Sequence, residues 1–395
     1  MNRSETFGKP GLIPVRAGFV PLADSAPLVV AARRGFAADE GIDLILSRQP
    51  SWASVRDRIN VGHLDVAQML AGMPIASTLG IAHVTVPMIA PFSFGRGGNA
   101  IVLSRRLASE LDETGIVWRA GSIEAASAMA ALTRRRIAED EPPPVLAMVF
   151  PFSSHNYELR YWLAAAGTDP DKDVRLVVIP PPMMVDSLRA GQIDGFCVGE
   201  PWASMAVDSG LACIVALKQD VWAGAPEKVL GLTADWANEN TQVLDRLLRS
   251  LKRAADWCEA PDNLDELTDL LSEGEFVGAP RRILRRTFAG QLIVHPDMTR
   301  RHVPDFLRLG GAGVNFPSRT GGLWIYSQMV RWGQISYDAN DAERARDVYR
   351  PDLLAAALGD PAATEAASPN DFMDRLSFDP NDLPGYLQSL NVGSA

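Results

Sequence analysis

The sequence predicts an α/β protein built as two lobes, and three observations lead there. The chain has 395 residues, too long for one compact core. Short β-like runs alternate with helical runs up to about residue 235. Two stretches also echo each other: "NVGHLDVAQ" and "RAGQIDGFC" align Gly62 with Gly191 and Asp65 with Asp194. In each, the Gly ends a helix and the Asp opens a strand. The echo has two explanations, the ordinary chemistry of a helix-to-strand turn or a pair of similar lobes.

The elements follow in order. "VRAGFV" reads as a strand. "SAPLVVAARRGFAADEG" reads as a helix opening near Pro27 and stopping at Gly35 or shortly after. "IDLIL" is a strand, "SWASVRDRINVG" a helix and "LDVAQML" a third strand; "IAHVTVPMIA" and "NAIVLS" continue the pattern. A second series runs "PVLAMVF" strand, "SHNYELRYWLAAAG" helix closed by Gly167, "VRLVVI" strand, "MMVDSLRAG" helix and "IDGFCV" strand, with "LACIVAL" and "KVLGLT" after it. Beyond these, "QVLDRLLRSLKRAADWC" places Val243, Leu244, Leu247, Leu248, Leu251, Ala255 and Cys258 on one helical stripe. The tail beyond Tyr337 is rich in Pro, Asp and Ala and is expected to wrap the surface as short helices and loops.

A net charge of −10 argues against nucleic acid or an anionic membrane as a direct partner. It leaves a small anion open, because the few groups lining a pocket set its field. The cysteines Cys197, Cys213 and Cys258 have no metal or redox spacing and read as buried thiols. Polar residues run to Pro10 and Arg16 interrupts the first apolar stretch, which is not a secretory signal pattern. With Met1 as the natural start, the expected location is the cytoplasm. No apolar run reaches the ~18 residues that span a bilayer.

Several residues can carry binding chemistry. Ser51 is a natural N-cap, which puts Trp52 at the open, anion-favouring end of a helix, as a pocket wall or as packing on the adjacent strand. Ser153 and Ser154 can cap a helix starting near His155, a histidine that can donate to an anion, ligate a metal or simply face solvent. "FGRGGNAIVLS" brings Arg96, Gly97, Gly98 and Asn99 to a strand start. Its Gly spacing is no dinucleotide fingerprint; it is either a plain tight turn or a source of backbone N–H groups, with the Asn99 amide, for a small oxyanion. "CVGEPWASM" opens onto a helix after Pro201, and Lys228 starts a strand where the chain passes from the second series to the helical region. Its ammonium is either solvated or able to reach a cleft and neutralise one negative charge.

"GFVPLADSAPLVVAARRGFAADEGIDLILSRQPSWASVRD", "AQMLAGMP", "RYWLAAAGTDPDKDV", "GFCVGEPW" and "PEKVLGLT" occur in this order. Together they resemble the nitrate- and bicarbonate-binding solute-receptor family of bacterial ABC transporters over roughly residues 12–335. The resemblance implies a two-lobed periplasmic-binding-protein fold of the second type with extra C-terminal helices. Lobe 1 is expected over 12–107 and 228–335, lobe 2 over 112–226, and an extension over 336–395. It implies one ion in the cleft, held by a Trp, a Gln in a Gly-rich turn, a His and a Lys. The matching positions here are Trp52, Asn99, His155 and Lys228, with the Gly98 backbone beside them. Asn99 shortens the reach of the expected Gln, so Gln68 enters as a substitute donor. The bicarbonate branch has an acidic, metal-binding residue at the Lys228 position; lysine there favours nitrate or nitrite and no metal or cofactor.

Within the family, the start of the chain resembles the cytoplasmic nitrate/nitrite sensors of the NasS type. That implies a regulatory partner, an ANTAR-domain antiterminator of the NasT type, held until the anion binds. The alternative is an extracytoplasmic nitrate-binding receptor of an ABC transporter. An enzyme is not expected. Proteins of this fold that make a thiamin pyrimidine precursor would want a histidine cluster, and the five histidines here are spread along the chain.

Overall fold

The computed structural model describes residues 9–81, 84–222, 227–360 and 372–390. The start of the chain, part of "IAHVTVPMIA" and the tail at 361–371 and 391–395 lie outside the described residues.

Four strands come first: β1 (Ile13–Phe19), β2 (Ile42–Arg48), β3 (Val66–Leu70) and β4 (Met88–Ser93). The chain then crosses to a second sheet for β5 (Asn99–Ser104), β6 (Val145–Met148), β7 (Arg175–Val178), β8 (Gly195–Gly199) and β9 (Ala212–Leu217). It crosses back for β10 (Lys228–Thr233). The sheet orders are β2-β1-β3-β10-β4 and β7-β6-β8-β5-β9. Three parallel strands lead each sheet. Beside them runs an antiparallel strand that has just arrived from the other lobe.

The two sheets therefore repeat one plan, and the echoed residues do the same work in each. Gly62 and Gly191 both take left-handed φ, +69° and +67°, which favours glycine. The Asp65 carboxylate accepts the Arg16 backbone N–H at 2.7 Å, and the Asp194 carboxylate accepts that of Val145 at 2.9 Å. In each case an aspartate at the foot of the third strand pins the first strand beside it.

The first crossing falls between Ser93 and Asn99, earlier than the expected boundary at 107–112. "NAIVLS" reads as a strand, but composition does not say which sheet it joins. A helix, Gly72–Leu79, also stands where no element is expected; Pro74 in its first turn and its short length hide its period.

The helix Thr241–Glu259 buries Leu244, Leu247, Leu248, Leu251, Ala255 and Cys258 as the stripe predicts, with Val243 half-buried. It packs on the helix Ala26–Arg33 of the first lobe. The tail departs from its expected surface course. Its helices Ala339–Asp347, Pro351–Leu358 and Leu383–Ser389 frame buried Tyr349, Phe372 and Tyr386. Ala90 of β4 donates to Val348 (2.8 Å) and accepts from Arg350 (3.0 Å), so the tail extends the edge of the first sheet.

Candidate functional site

In open parallel sheets the loops after the strand C-termini meet where the strand order reverses. Here that edge of each sheet faces the other, and both crossings end there. The lobes touch directly: Ala23 N–H donates to the Glu200 carbonyl at 2.8 Å, and the Trp202 indole N–H to the Pro21 carbonyl at 2.9 Å.

Between them lies a buried polar cluster. The first lobe supplies Asp24, Gln68 and Lys228; the second supplies Asn99, Ser154, His155, Glu158 and Lys218; Glu227 sits on the second crossing. All nine are buried. Two local features aim the second-lobe groups. Ser153 caps the helix Ser154–Ala164 by accepting the Asn156 N–H (3.0 Å), which places Ser154, His155 and Glu158 on its first turns. Asn99 and Lys228 are the first residues of the two strands that follow the crossings. Gly199, paired with Asn99, leaves the cluster room; a Cβ there would stand 3.1 Å from the Lys228 ammonium.

The Lys228 ammonium contacts Glu227 Oε1 (2.5 Å), Asp24 Oδ2 (2.8 Å), Asn99 Oδ1 (3.3 Å) and His155 Nε2 (3.5 Å). The other Glu227 oxygen, Oε2, receives Asn99 Nδ2 (2.5 Å), the Ser154 hydroxyl (2.8 Å) and the Lys218 ammonium. Lys218 also pairs with Glu158 Oε1 at 3.0 Å. Gln68 donates to Asp24 Oδ1 (2.6 Å) and accepts from the Val20 N–H (3.1 Å).

Burial alone would raise the Glu227 carboxyl, but the ammoniums of Lys218 and Lys228 outweigh it and hold Glu227 ionised, below the usual carboxylate range. Burial raises Asp24 and Glu158 against the pull of Lys228 and Lys218. Burial and the neighbouring Lys228 lower His155, which is therefore neutral. Its Nε2 faces an ammonium, so the ring proton belongs on Nδ1, a buried atom with no hydrogen-bond partner. Three carboxylates against two ammoniums give the cluster an excess of one negative charge when all ionise. A second anion about 4 Å from Glu227 would meet a repulsion of about 4 kcal/mol at an effective dielectric of ~20.

Among the residues expected from sequence, the structure joins Asn99, His155 and Lys228 directly and Gln68 through Asp24. Trp52 opens its helix after the Ser51 cap (3.2 Å to the Ser54 N–H) at the same edge of the first sheet. Its indole is fully buried and Nε1 has no partner. Gly98 does not fit the expected role. Its N–H donates to the Phe306 carbonyl at 2.7 Å and Arg96–Gly97 pairs as a short strand with Leu307–Arg308, so the Gly-rich segment is neither a tight turn nor an anion nest. The Asn99 and Gln68 amides, expected as donors to a free ion, are committed to carboxylates of the protein. Reading the sequence missed Asp24, Ser154, Glu158, Lys218 and Glu227. Among the described residues no group of His, Cys, Asp and Glu is arranged to hold a metal.

A cavity of about 630 Å³ lies away from this cluster, lined by Trp118, Arg119, His295 and Arg301. Arg119 pairs there with Asp297 (3.4 Å) and Arg301 with Asp220 (2.6 Å), and none of the residues expected from the sequence lines it.

Two equivalent lobes, crossed twice, with a buried polar site at the crossings, define the two-lobed periplasmic-binding-protein class. The chain belongs to the NMT1-like family, whose pattern matches residues 8–272. It is 30% identical over 390 residues to the nitrate/nitrite binding protein NrtA of Synechococcus elongatus, covering 95% of this chain and 86% of that protein. It is 38% identical to the nitrate import ATP-binding protein NrtC of Synechocystis and 35% to the bicarbonate transport ATP-binding protein CmpC of Synechococcus elongatus. These matches cover 98% of this chain but only 57% and 56% of the relatives, so the chain spans little more than half their length. The crystal structure of the periplasmic nitrate-binding protein NrtA from Synechocystis PCC 6803 superposes with a TM-score of 0.85 at 27% identity, over 96% of this chain and 98% of that one.

Proposed function

We propose that this chain is a receptor for a small planar oxyanion, nitrate or nitrite first, that serves an ATP-driven importer. One observation carries the reading: the interlobe site already holds a planar, singly charged group, the Glu227 carboxylate, between donors of both lobes. Nitrate offers the same delocalised acceptors and no proton of its own. Charge-assisted hydrogen bonds contribute about 1.5–3 kcal/mol each, so three or four reach the roughly −8 kcal/mol of a micromolar complex. The names of the relatives support nitrate over larger anions. The sequence has no G-x-x-x-x-G-K-[ST] loop, so ATP binding is not proposed for this chain.

The cytoplasmic sensor that holds an ANTAR-domain antiterminator is the second reading. It ranks behind because the relatives named above carry import and binding in their names; copurification of such a partner, released by nitrate, would reverse the order. Calorimetry with nitrate, nitrite, bicarbonate and sulfate tests the receptor. Binding of nitrate or nitrite is expected, with Trp52→Phe weakening it about tenfold through loss of one indole N–H. Silence toward all four anions, in the wild type and in variants lacking the Glu227 carboxylate, would remove the proposal.

A further inference from the structure

We infer that Glu227 is a tethered competitor for the anion: its carboxylate occupies the donor set at the crossing, and an incoming oxyanion must displace it. The inference rests on the receptor reading and concerns what sets affinity and selectivity at that site.

The contacts of Glu227 are those of a ligand. Its side chain touches Lys228 of the first lobe and Asn99, Ser154 and Lys218 of the second. Its backbone is held separately, the carbonyl accepting the Ala71 N–H at 2.9 Å. Side-chain rotation alone therefore releases the donors without unpicking β10. The ammoniums would not be stranded, because Lys228 keeps Asp24 (2.8 Å) and Lys218 keeps Glu158 (3.0 Å).

Charge makes the two occupants exclusive. With Glu227 in place, the cluster holds three carboxylates and two ammoniums, and a free anion would join as a fourth negative group. With Glu227 withdrawn, the ion replaces one negative charge by another. Shape then selects the winner. A carboxylate has two oxygens, and the seated Glu227 accepts its hydrogen bonds on Oε2 while Oε1, beside the Lys228 ammonium, accepts none. An anion with three oxygens presents one acceptor more than the carboxylate it displaces. The competitor lowers apparent affinity by the fraction of molecules whose site is free, and it lets the lobes sit closed without ligand.

Glu227→Gln and Glu227→Ala test this by calorimetry with nitrate and bicarbonate, alongside small-angle scattering of the ligand-free and nitrate-loaded proteins. Gln keeps the shape and removes the charge, so it carries the test where Ala fails to fold. The expected result is a nitrate Kd lower by about tenfold or more in the variants. Ligand-free wild type should be as compact as its nitrate complex, and ligand-free Glu227→Ala should be expanded. Wild type that binds nitrate while both variants bind it equally or more weakly would overturn the competitor and leave the receptor standing. Weakened bicarbonate binding in Glu227→Gln, with nitrate unchanged, would instead make Glu227 an acceptor for the bicarbonate proton. Silence of all three proteins toward both anions removes the receptor itself.

Discussion

Glu200 holds its carboxyl in the interlobe region with hydrogen bonds from the Ser204 hydroxyl (2.8 Å) and backbone (3.3 Å). Burial pushes its pKa up to about 7, against Ser204 and the more distant Arg286. The folded state thus keeps a proton that the unfolded chain releases near pH 4.5. This stability is fully present below about pH 4.5 and is lost as pH rises through 7, about 3 kcal/mol in all. His155 works the other way: its lowered pKa makes the unfolded chain take up protons first as pH falls below 6.5. The readout is therefore the difference between wild type and Glu200→Gln in urea melts from pH 5 to 8. Wild type should lose about 3 kcal/mol relative to the variant over that range; parallel curves would show that Glu200 is ionised throughout. Single residues were unevenly legible. Asn99, His155 and Lys228 announce themselves through caps and strand starts, which are local. Asp24, Glu158, Lys218 and Glu227 carry no such local signal, and much of their burial comes from partners distant in sequence. Asp24 and Lys228, for example, are 204 positions apart and meet at 2.8 Å.

Elements were legible where one face repeats and illegible where a contact decides. The capped helices at Trp52 and His155 and the long stripe from Leu244 to Cys258 follow from local pattern. The helix Gly72–Leu79 does not, and its first residue explains its place. A Cβ on Gly72 would stand 2.6 Å from the Phe152 carbonyl oxygen of the opposite lobe. That neighbour is backbone and cannot turn aside. Gly72→Val is therefore expected to hold the lobes apart, raising the radius of gyration in scattering and weakening anion binding by about tenfold or more, through lost contacts with one lobe. The melting temperature should fall as well, because a Cβ there would also stand 3.3 Å from the buried Met329. An unchanged scattering profile with unchanged affinity would mean that closure does not need this approach.

At the scale of the molecule, two lobes with equal sheets need something besides two crossings to fix their packing, and the tail supplies it. Phe372 stacks at 5.6 Å from Tyr161 of the second lobe, 4.9 Å from Trp222 at the start of the second crossing and 5.9 Å from Trp324. Trp324 lies on the helix Arg319–Arg331, and Tyr349 further along donates its hydroxyl to the Ala71 carbonyl (2.8 Å) beside Gly72. The tail thus ties lobe 2, the crossing and lobe 1 into one core. Composition hid this, since Pro, Asp and Ala dominate the segment and its few aromatics carry the packing. A tail lying on the surface would tolerate Phe372→Ala within about 0.5 kcal/mol. A ring removed from a buried aromatic stack should cost about 3–5 kcal/mol. Urea unfolding of the variant discriminates the two, and a loss below about 1 kcal/mol would return the tail to the surface. The same variant should keep its Trp52 and Lys228 geometry, so nitrate affinity measured well below the melting temperature is expected to stay within about threefold of wild type. A collapse of affinity at intact stability would show instead that the tail sets the angle at which the lobes close, a role the buried Tyr349 hydroxyl beside Gly72 would then have to carry.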